Sequence, residues 1–146
     1  MIKRKASAVW TGGLKDGKGT LTTESRTLDQ TPYAFTSRFE NGAGTNPEEL
    51  VAAAHAGCFT MAMSLALGEA GLKPEKLETA ATLTLEKTDA GMTVTAIHLS
   101  LTADVPNADA AKFDAIANTI KEKCIISRLL RADITLDATL RSASRA

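Results

Sequence analysis

Aromatic side chains are scarce at 4% of 146 residues, too few to build a platform on which nucleic-acid bases stack. An excess of one charge is also missing, because 17 Lys and Arg balance 17 Asp and Glu. Nothing therefore drives counterion release from a nucleic acid or attraction to an anionic lipid surface. Cysteine is reduced to two residues, Cys58 and Cys124, which argues against the disulfide framework of a small secreted domain. The opening MIKRKASAVW has basic residues but no apolar run behind them, so it does not read as a secretory signal. A reducing cytoplasm is the expected location, and there a cysteine pair is more often reactive than structural. The glycines at 12, 13, 17 and 19 match no phosphate loop, and no serine nucleophile elbow occurs.

What is present is an ordinary globular composition, 44% hydrophobic and 23% charged, in a length that suits one domain over residues 1–146. The exception is Leu50 to Gly68, which carries no charged residue if His55 is neutral and is nearly long enough to cross a bilayer. Ala, Gly, Ser, Thr and His dilute its Leu and Met content, and Glu48 and Glu49 stand at its entrance. These features favour a buried central helix over a membrane segment.

Periodicity places the other elements around that helix. Ile2 to Trp10 reads as a strand ending at Gly12-Gly13, and Thr20 to Ser25 as a second strand after the turn at Asp16-Gly17. Tyr33, Phe35, Ser37 and Phe39 alternate with Ala34, Thr36, Arg38 and Glu40, the two-residue period of a third strand, with Arg38 facing away from the aromatics. Asn46-Pro47-Glu48-Glu49 opens the long helix with a cap, a favoured first-turn proline and a glutamate placed for a capping box. Gly71 and Pro74 end it after about Ala70. Leu77 to Lys87 and Met92 to Val105 form a hairpin about Asp89-Ala90-Gly91, Asp109 to Lys123 an amphipathic helix, and Ser127 to Arg131 a short helical piece. Ala132 to Leu140 closes the chain as a strand. The expected fold is α+β in the order β-β-β-α-β-β-α-α-β. A helix apolar all round needs more cover than one small sheet, which points to a homodimer packed around it.

Cys58 lies inside the apolar helix, where the plain reading is a small inert hydrophobe. Cys124 lies between two helical pieces, where a helix start would favour its thiolate. Together two thiols allow a cycle closed to one: the first becomes a sulfenic acid and the second condenses with it to a disulfide. The first step needs a thiolate, and a thiol of pKa about 8.5 is only about 3% ionised at neutral pH. Lowering that pKa by about 2 units takes about 2.7 kcal/mol of anion stabilisation. Arg38 is a candidate cation, since guanidinium stays charged and forks onto paired acceptors. Its plain reading is a solvated strand residue. Glu48 could orient the arginine or simply face the helix dipole. It stands ten residues from Cys58, about 15 Å along an ideal helix. Bridging by Arg38, a helix bend, or a glutamate from a neighbouring subunit would each reconcile that distance. His55 precedes Cys58 by three, which admits a cysteine–histidine hydrolase or, more simply, a satisfied core histidine. Cys58, Cys124, His55 and His98 lack metal-ligand spacing.

The run GTNPEELVAAAHAGCFTMAMSLALGEAG, the upstream TPYAFTSRFE, the turn TDAG, the isolated second cysteine and the closing ITLDATL resemble the osmotically inducible protein C family. Its sister group is the organic hydroperoxide resistance proteins. The resemblance implies an intertwined homodimer with two sites at the subunit interface and a two-cysteine peroxidase cycle without haem, flavin or metal. By motif, Cys58 is then the peroxidatic thiol, Cys124 the resolving thiol, Arg38 the activating cation and Glu48 the carboxylate that holds it. The arginine of SRFE matches the osmotically inducible branch. The implied substrates are organic hydroperoxides, with hydrogen peroxide variable, and the implied reductant is a dithiol of lipoyl type, free or on a lipoylated protein. The family often has proline after the resolving cysteine, whereas Ile125 follows Cys124 here. The other reading is a dimer whose apolar groove binds a hydrophobic ligand, with both cysteines as packing.

Overall fold

The computed structural model describes residues 1–142. It comprises two compact units, Met1–Leu50 and a larger one from Val51 onward.

The first unit is an antiparallel meander of β1 (Ala6–Thr11), β2 (Lys18–Thr23) and β3 (Thr31–Tyr33). Gly19 on β2 is paired with Trp10 on one side and Tyr33 on the other. A Cβ there would lie 2.5 Å from the Tyr33 ring and 2.6 Å from the Trp10 ring. Glycine thus leaves the space in which the two rings meet with centroids 5.4 Å apart.

The strand expected over Tyr33 to Glu40 is instead the end of β3 followed by a helical turn, α1 (Phe35–Phe39). The alternation misled because Phe35 and Phe39 satisfy a two-residue period and an i,i+4 helical contact equally. Their rings pack at 5.2 Å. Ser37 settles the choice: its hydroxyl accepts from the Ala34 N–H at 2.8 Å and bonds the Thr45 carbonyl at 2.8 Å, tying the turn to the chain ahead of the next helix. Arg38 consequently lies over the Phe39 ring, 5.1 Å from its centroid, rather than away from the aromatics.

Helix α2 (Pro47–Glu69) starts as its sequence requires. The Asn46 side-chain oxygen accepts the Glu49 N–H at 2.7 Å. Glu49 accepts the Thr45 hydroxyl at 2.8 Å. At the other end Gly71 adopts φ +78. The Leu72 N–H reaches the Leu67 carbonyl at 2.8 Å and the Gly71 N–H that of Gly68 at 3.0 Å, the paired bonds of a Schellman stop.

In the second unit, β4 (Lys76–Thr88) and β5 (Gly91–Asp104) form the expected hairpin, with a bulge at Thr95 where the register shifts between Thr84 and Leu85. That extra residue explains why the inward positions run Val94 and then Ile97. Helix α3 (Ala110–Lys123), capped by Asp109 through the Lys112 N–H, and the short α4 (Ile125–Leu129) cross over to β6 (Asp133–Ser142). β6 pairs parallel to β5, giving the sheet order β4-β5-β6. The order is therefore β-β-β-α-α-β-β-α-α-β, one short helix more than expected.

Helix α2 is long and apolar enough to cross a membrane by length and composition. It is not buried all round, as a central core helix would be. One i,i+4 stripe, His55, Phe59, Met63 and Leu67, is buried, while Met61 and Leu65 are 78% and 66% exposed. Phe59, Met63 and Leu67 form one core with Ile97, Leu99, Leu101, Ala103 and Val105 of the sheet side and Phe113 and Ala117 of α3. Full burial of each of these side chains larger than alanine contributes about 1.5–3 kcal/mol.

Candidate active site

The 100° step of a helix puts Cys58, Met61, Ala62, Leu65 and Glu69 on one face of α2 beside the buried stripe. These residues line one side of an apolar cleft of about 620 Å³, and Ile120, Lys123, Cys124 and Ile125 line the other. Cys124 is at once the last cap of α3 and the first cap of α4, with φ −52 and ψ 138. The break falls at the cysteine itself, so α4 begins two residues earlier than the expected Ser127. An extended residue between two helices turns its side chain out of both. The result is a Cys124 sulfur 2.9 Å from that of Cys58, both cysteines being free.

The two thiols are not equivalent. Cys58 is partly exposed at the cleft, while Cys124 is 3% exposed. Burial pushes the Cys58 thiol above its ordinary value, and its hydrogen bond with Cys124 adds to this, against the Ile126 and Ile125 N–H groups that favour the anion. Burial also raises Cys124, but its hydrogen bond with Cys58, the Ser127 N–H and hydroxyl, and the Ile126 N–H together outweigh it, and Cys124 lies below its ordinary value. No full side-chain capping bond closes on Cys124; its sulfur sits in the field of these dipoles. Ile125 occupies the first position of α4, where proline would fit without loss. Its amide is nevertheless used, because an N–H at this position favours a Cys58 thiolate and a proline would have none.

His55 is fully buried, and its Nε2 lies 2.7 Å from the Ser127 hydroxyl, itself 6% exposed. Burial lowers its pKa, so the ring is held neutral. Its Nδ1 has no hydrogen-bond partner. The histidine is thus a core residue with a specific hydroxyl partner, and Ser127 is a site residue that the sequence reading missed. The two are 72 positions apart, beyond any spacing rule. The available signal was local: Ser127 stands three residues after Cys124, and His55 three before Cys58.

Arg38 and Glu48 are brought together inside the first unit. The guanidinium donates Nε–H to Oε1 at 3.0 Å and to Oε2 at 3.3 Å, and Nη2–H to Oε2 at 3.0 Å. Such a fork fixes the arginine's plane as well as its position, and Nη1 takes no part in it. Glu48, in the first turn of α2, faces the helix dipole at the same time. His98 belongs elsewhere, with Thr135 at 2.6 Å and Asp137 at 3.0 Å on the second sheet. No group of three His, Cys, Asp or Glu suited to a metal occurs among the described residues.

Comparison with known proteins places the chain in a family. The chain is 51% identical to peroxiredoxin OsmC of Escherichia coli over 97% of its own length and 99% of that protein's. It is 26% identical to the organic hydroperoxide resistance protein OhrB of Bacillus subtilis, covering 84% of this chain and 89% of that one. Among solved structures, an OsmC-like protein from Mycoplasma pneumoniae superposes with a TM-score of 0.75 at 17% identity, over 95% of this chain and 97% of that one, which speaks for the fold. The family model described as OsmC-like protein matches residues 40–139, and the chain belongs to that family.

Proposed function

We propose that this protein is a two-cysteine peroxidase that reduces organic hydroperoxides to alcohols. The observation that carries the reading is the pair of free thiols 2.9 Å apart at an apolar cleft. The relatives named peroxiredoxin and organic hydroperoxide resistance protein support the reaction class and the substrate class.

In this cycle the Cys58 thiolate attacks one peroxide oxygen and the O–O bond breaks. The alkoxide takes a proton and leaves as the alcohol, and Cys58 becomes a sulfenic acid. The Cys124 sulfur then attacks Cys58, the S–O bond breaks, and water departs as the disulfide closes. Cys58 is the attacking thiol because it is the more accessible. Burial and its neighbour work against its ionisation, so the cycle calls for a cation, and the guanidinium fixed by Glu48 is the one assigned to it. An apolar cleft favours greasy peroxides over hydrogen peroxide, which remains a secondary substrate. Recycling takes a dithiol, of lipoyl type or carried on a lipoylated protein, and the cycle uses no haem, flavin or metal. The exposed Met61 and Leu65 of α2 fit burial in a homodimer. The reading places the protein in the cytoplasm, with neither nucleic acid nor membrane as partner.

The same cleft would suit a non-catalytic holder of a hydrophobic ligand. One equivalent of cumene hydroperoxide separates the two readings by intact mass: the peroxidase closes a disulfide and loses two hydrogens per chain. Cys58→Ser should lower dithiol-dependent turnover by at least about 10³-fold, as loss of a nucleophile does. Full turnover in that variant would end the proposal.

A further inference from the structure

Between the thiol pair and the core stands a connection that the peroxide-consuming steps above do not use. His55, fully buried on α2, holds the hydroxyl of Ser127 on α4 at 2.7 Å, and Ser127 is the third residue of the helix that Cys124 caps. The His55 Nδ1 is buried without a partner. Of the two neutral tautomers, the one protonated at Nδ1 would bury an N–H with no acceptor, the rarer and costlier defect. The other carries its proton on Nε2 and donates it to the Ser127 oxygen. Ser127 is then left with its own O–H to give, one helical turn along α4 from Cys124 at its cap, the residue whose thiolate that hydroxyl favours.

We propose that His55, acting through Ser127, fixes Cys124 as the leaving sulfur when the Cys58–Cys124 disulfide is reduced, so that the external thiol attacks Cys58 and the mixed disulfide forms there. This rests on the two-cysteine reading above. A thiolate of the dithiol bonds to the Cys58 sulfur as the S–S bond breaks, and the bonding pair leaves on Cys124. The reductant's second thiol then attacks its own sulfur in the mixed disulfide and expels Cys58. The dithiol becomes a disulfide, supplying two electrons, and its two protons end on the protein thiols. Access and leaving ability select the same sulfur: Cys58 is partly exposed at the cleft and Cys124 is 3% exposed. The sulfur with the better-stabilised thiolate departs faster. His55 and Ser127 are positioning residues, since neither touches the reductant.

The exchange is tested on a disulfide closed with diamide rather than peroxide, so a protein without peroxide turnover still reports. Glutathione at one equivalent, a monothiol without a second thiol of its own to complete the step, followed by acid quench, traps the mixed disulfide for peptide mass analysis. The expected adduct is on Cys58, and Ser127→Ala, a near-isosteric change, should slow its formation about three- to fivefold, because the exchange rate follows the leaving thiol's pKa with a slope below one and the change is about one unit. Ser127→Thr should restore the rate. A second measurement needs no disulfide: the pH midpoint of Cys124 alkylation in a Cys58→Ser background should rise by about one unit on adding Ser127→Ala. With Cys58 replaced, the titratable groups left around the cleft are Glu69 of α2 and Lys123 of α3, unchanged by either variant. His55→Gln, whose amide can still donate to Ser127, should keep the midpoint, and His55→Leu should raise it. An adduct on Cys124 in the unsubstituted protein, or a Cys124 midpoint indifferent to Ser127→Ala, would overturn the proposal. If diamide closes no disulfide, the peroxidase reading falls, and the alkylation midpoint still decides the role of His55 and Ser127.

Discussion

The two units are held by different forces. Every large apolar side chain that is buried lies in the second, in a single core built on Phe59, Met63, Leu67 and the inner face of β5. The first buries Gly19, Ser37 and Thr45 but no large apolar residue, and all of β1 is exposed. It is organised by the Trp10–Tyr33 and Phe35–Phe39 ring contacts, the Ser37 hydrogen bonds and the Arg38–Glu48 fork. The difference is one of means: the second unit packs a single apolar core behind its thiol pair, while the first is ordered by ring contacts, hydrogen bonds and one ion pair.

The contrast can be broken most directly in the core. Phe59→Ala should destabilise the protein by about 3–5 kcal/mol, as a buried aromatic truncation does, whereas Val9→Ala on exposed β1 should stay within about 0.5 kcal/mol. Urea unfolding of both variants reads the difference, and equal losses would show that the first unit relies on apolar burial after all. A smaller effect concerns the fork. Arg38→Lys keeps the charge but loses the two-point grip on Glu48, and turnover of an organic hydroperoxide should fall about tenfold, or about 1.4 kcal/mol in barrier. The urea midpoint should stay in place, because the pair is part-exposed and such pairs contribute little to stability.

The smallest expected effect is on pH. Burial lowers the His55 pKa in the folded chain. Above the unfolded value of about 6.5, both states hold the ring neutral and stability is full. As pH falls below it the unfolded chain takes up a proton that the folded one refuses, so stability declines until folded His55 itself protonates. Unfolding free energies between pH 8 and pH 5 should show this slope, and His55→Gln should remove one proton's share of it. An unchanged slope in that variant would assign the acid sensitivity to other groups.

Much of this organisation was legible in the sequence where the signal is local. The cap at Asn46, the Gly71 stop and the hairpin about Gly91 each depend on a few adjacent residues, and each is found where those residues stand. What misled was ambiguity of period: Phe35 and Phe39 fit a strand and a helical turn alike, and only the Ser37 bonds to Ala34 and Thr45 decide. Composition likewise marked α2 as apolar all round, but which stripe meets the core depends on β5 and α3, elements far along the chain. The suspicious thiols were visible as residue types. Their 2.9 Å contact spans 66 positions and the His55–Ser127 bond spans 72, and no pattern of spacing encodes a contact of that range. The parallel pairing of β6 was illegible for the same reason.

That parallel strand bears on how the two thiols come to meet. An antiparallel β6 could follow β5 through a tight turn, but a parallel one requires a crossover, and here the crossover is α3, Cys124 and α4. The crossover is pinned by Phe113 and Ala117 in the core and by the His55–Ser127 bond as well as by β6, and bringing its cysteine to Cys58 means closing a long loop against chain entropy. A chain without that crossover in place therefore carries two ordinary, separated thiols, and their 2.9 Å contact belongs to the completed fold.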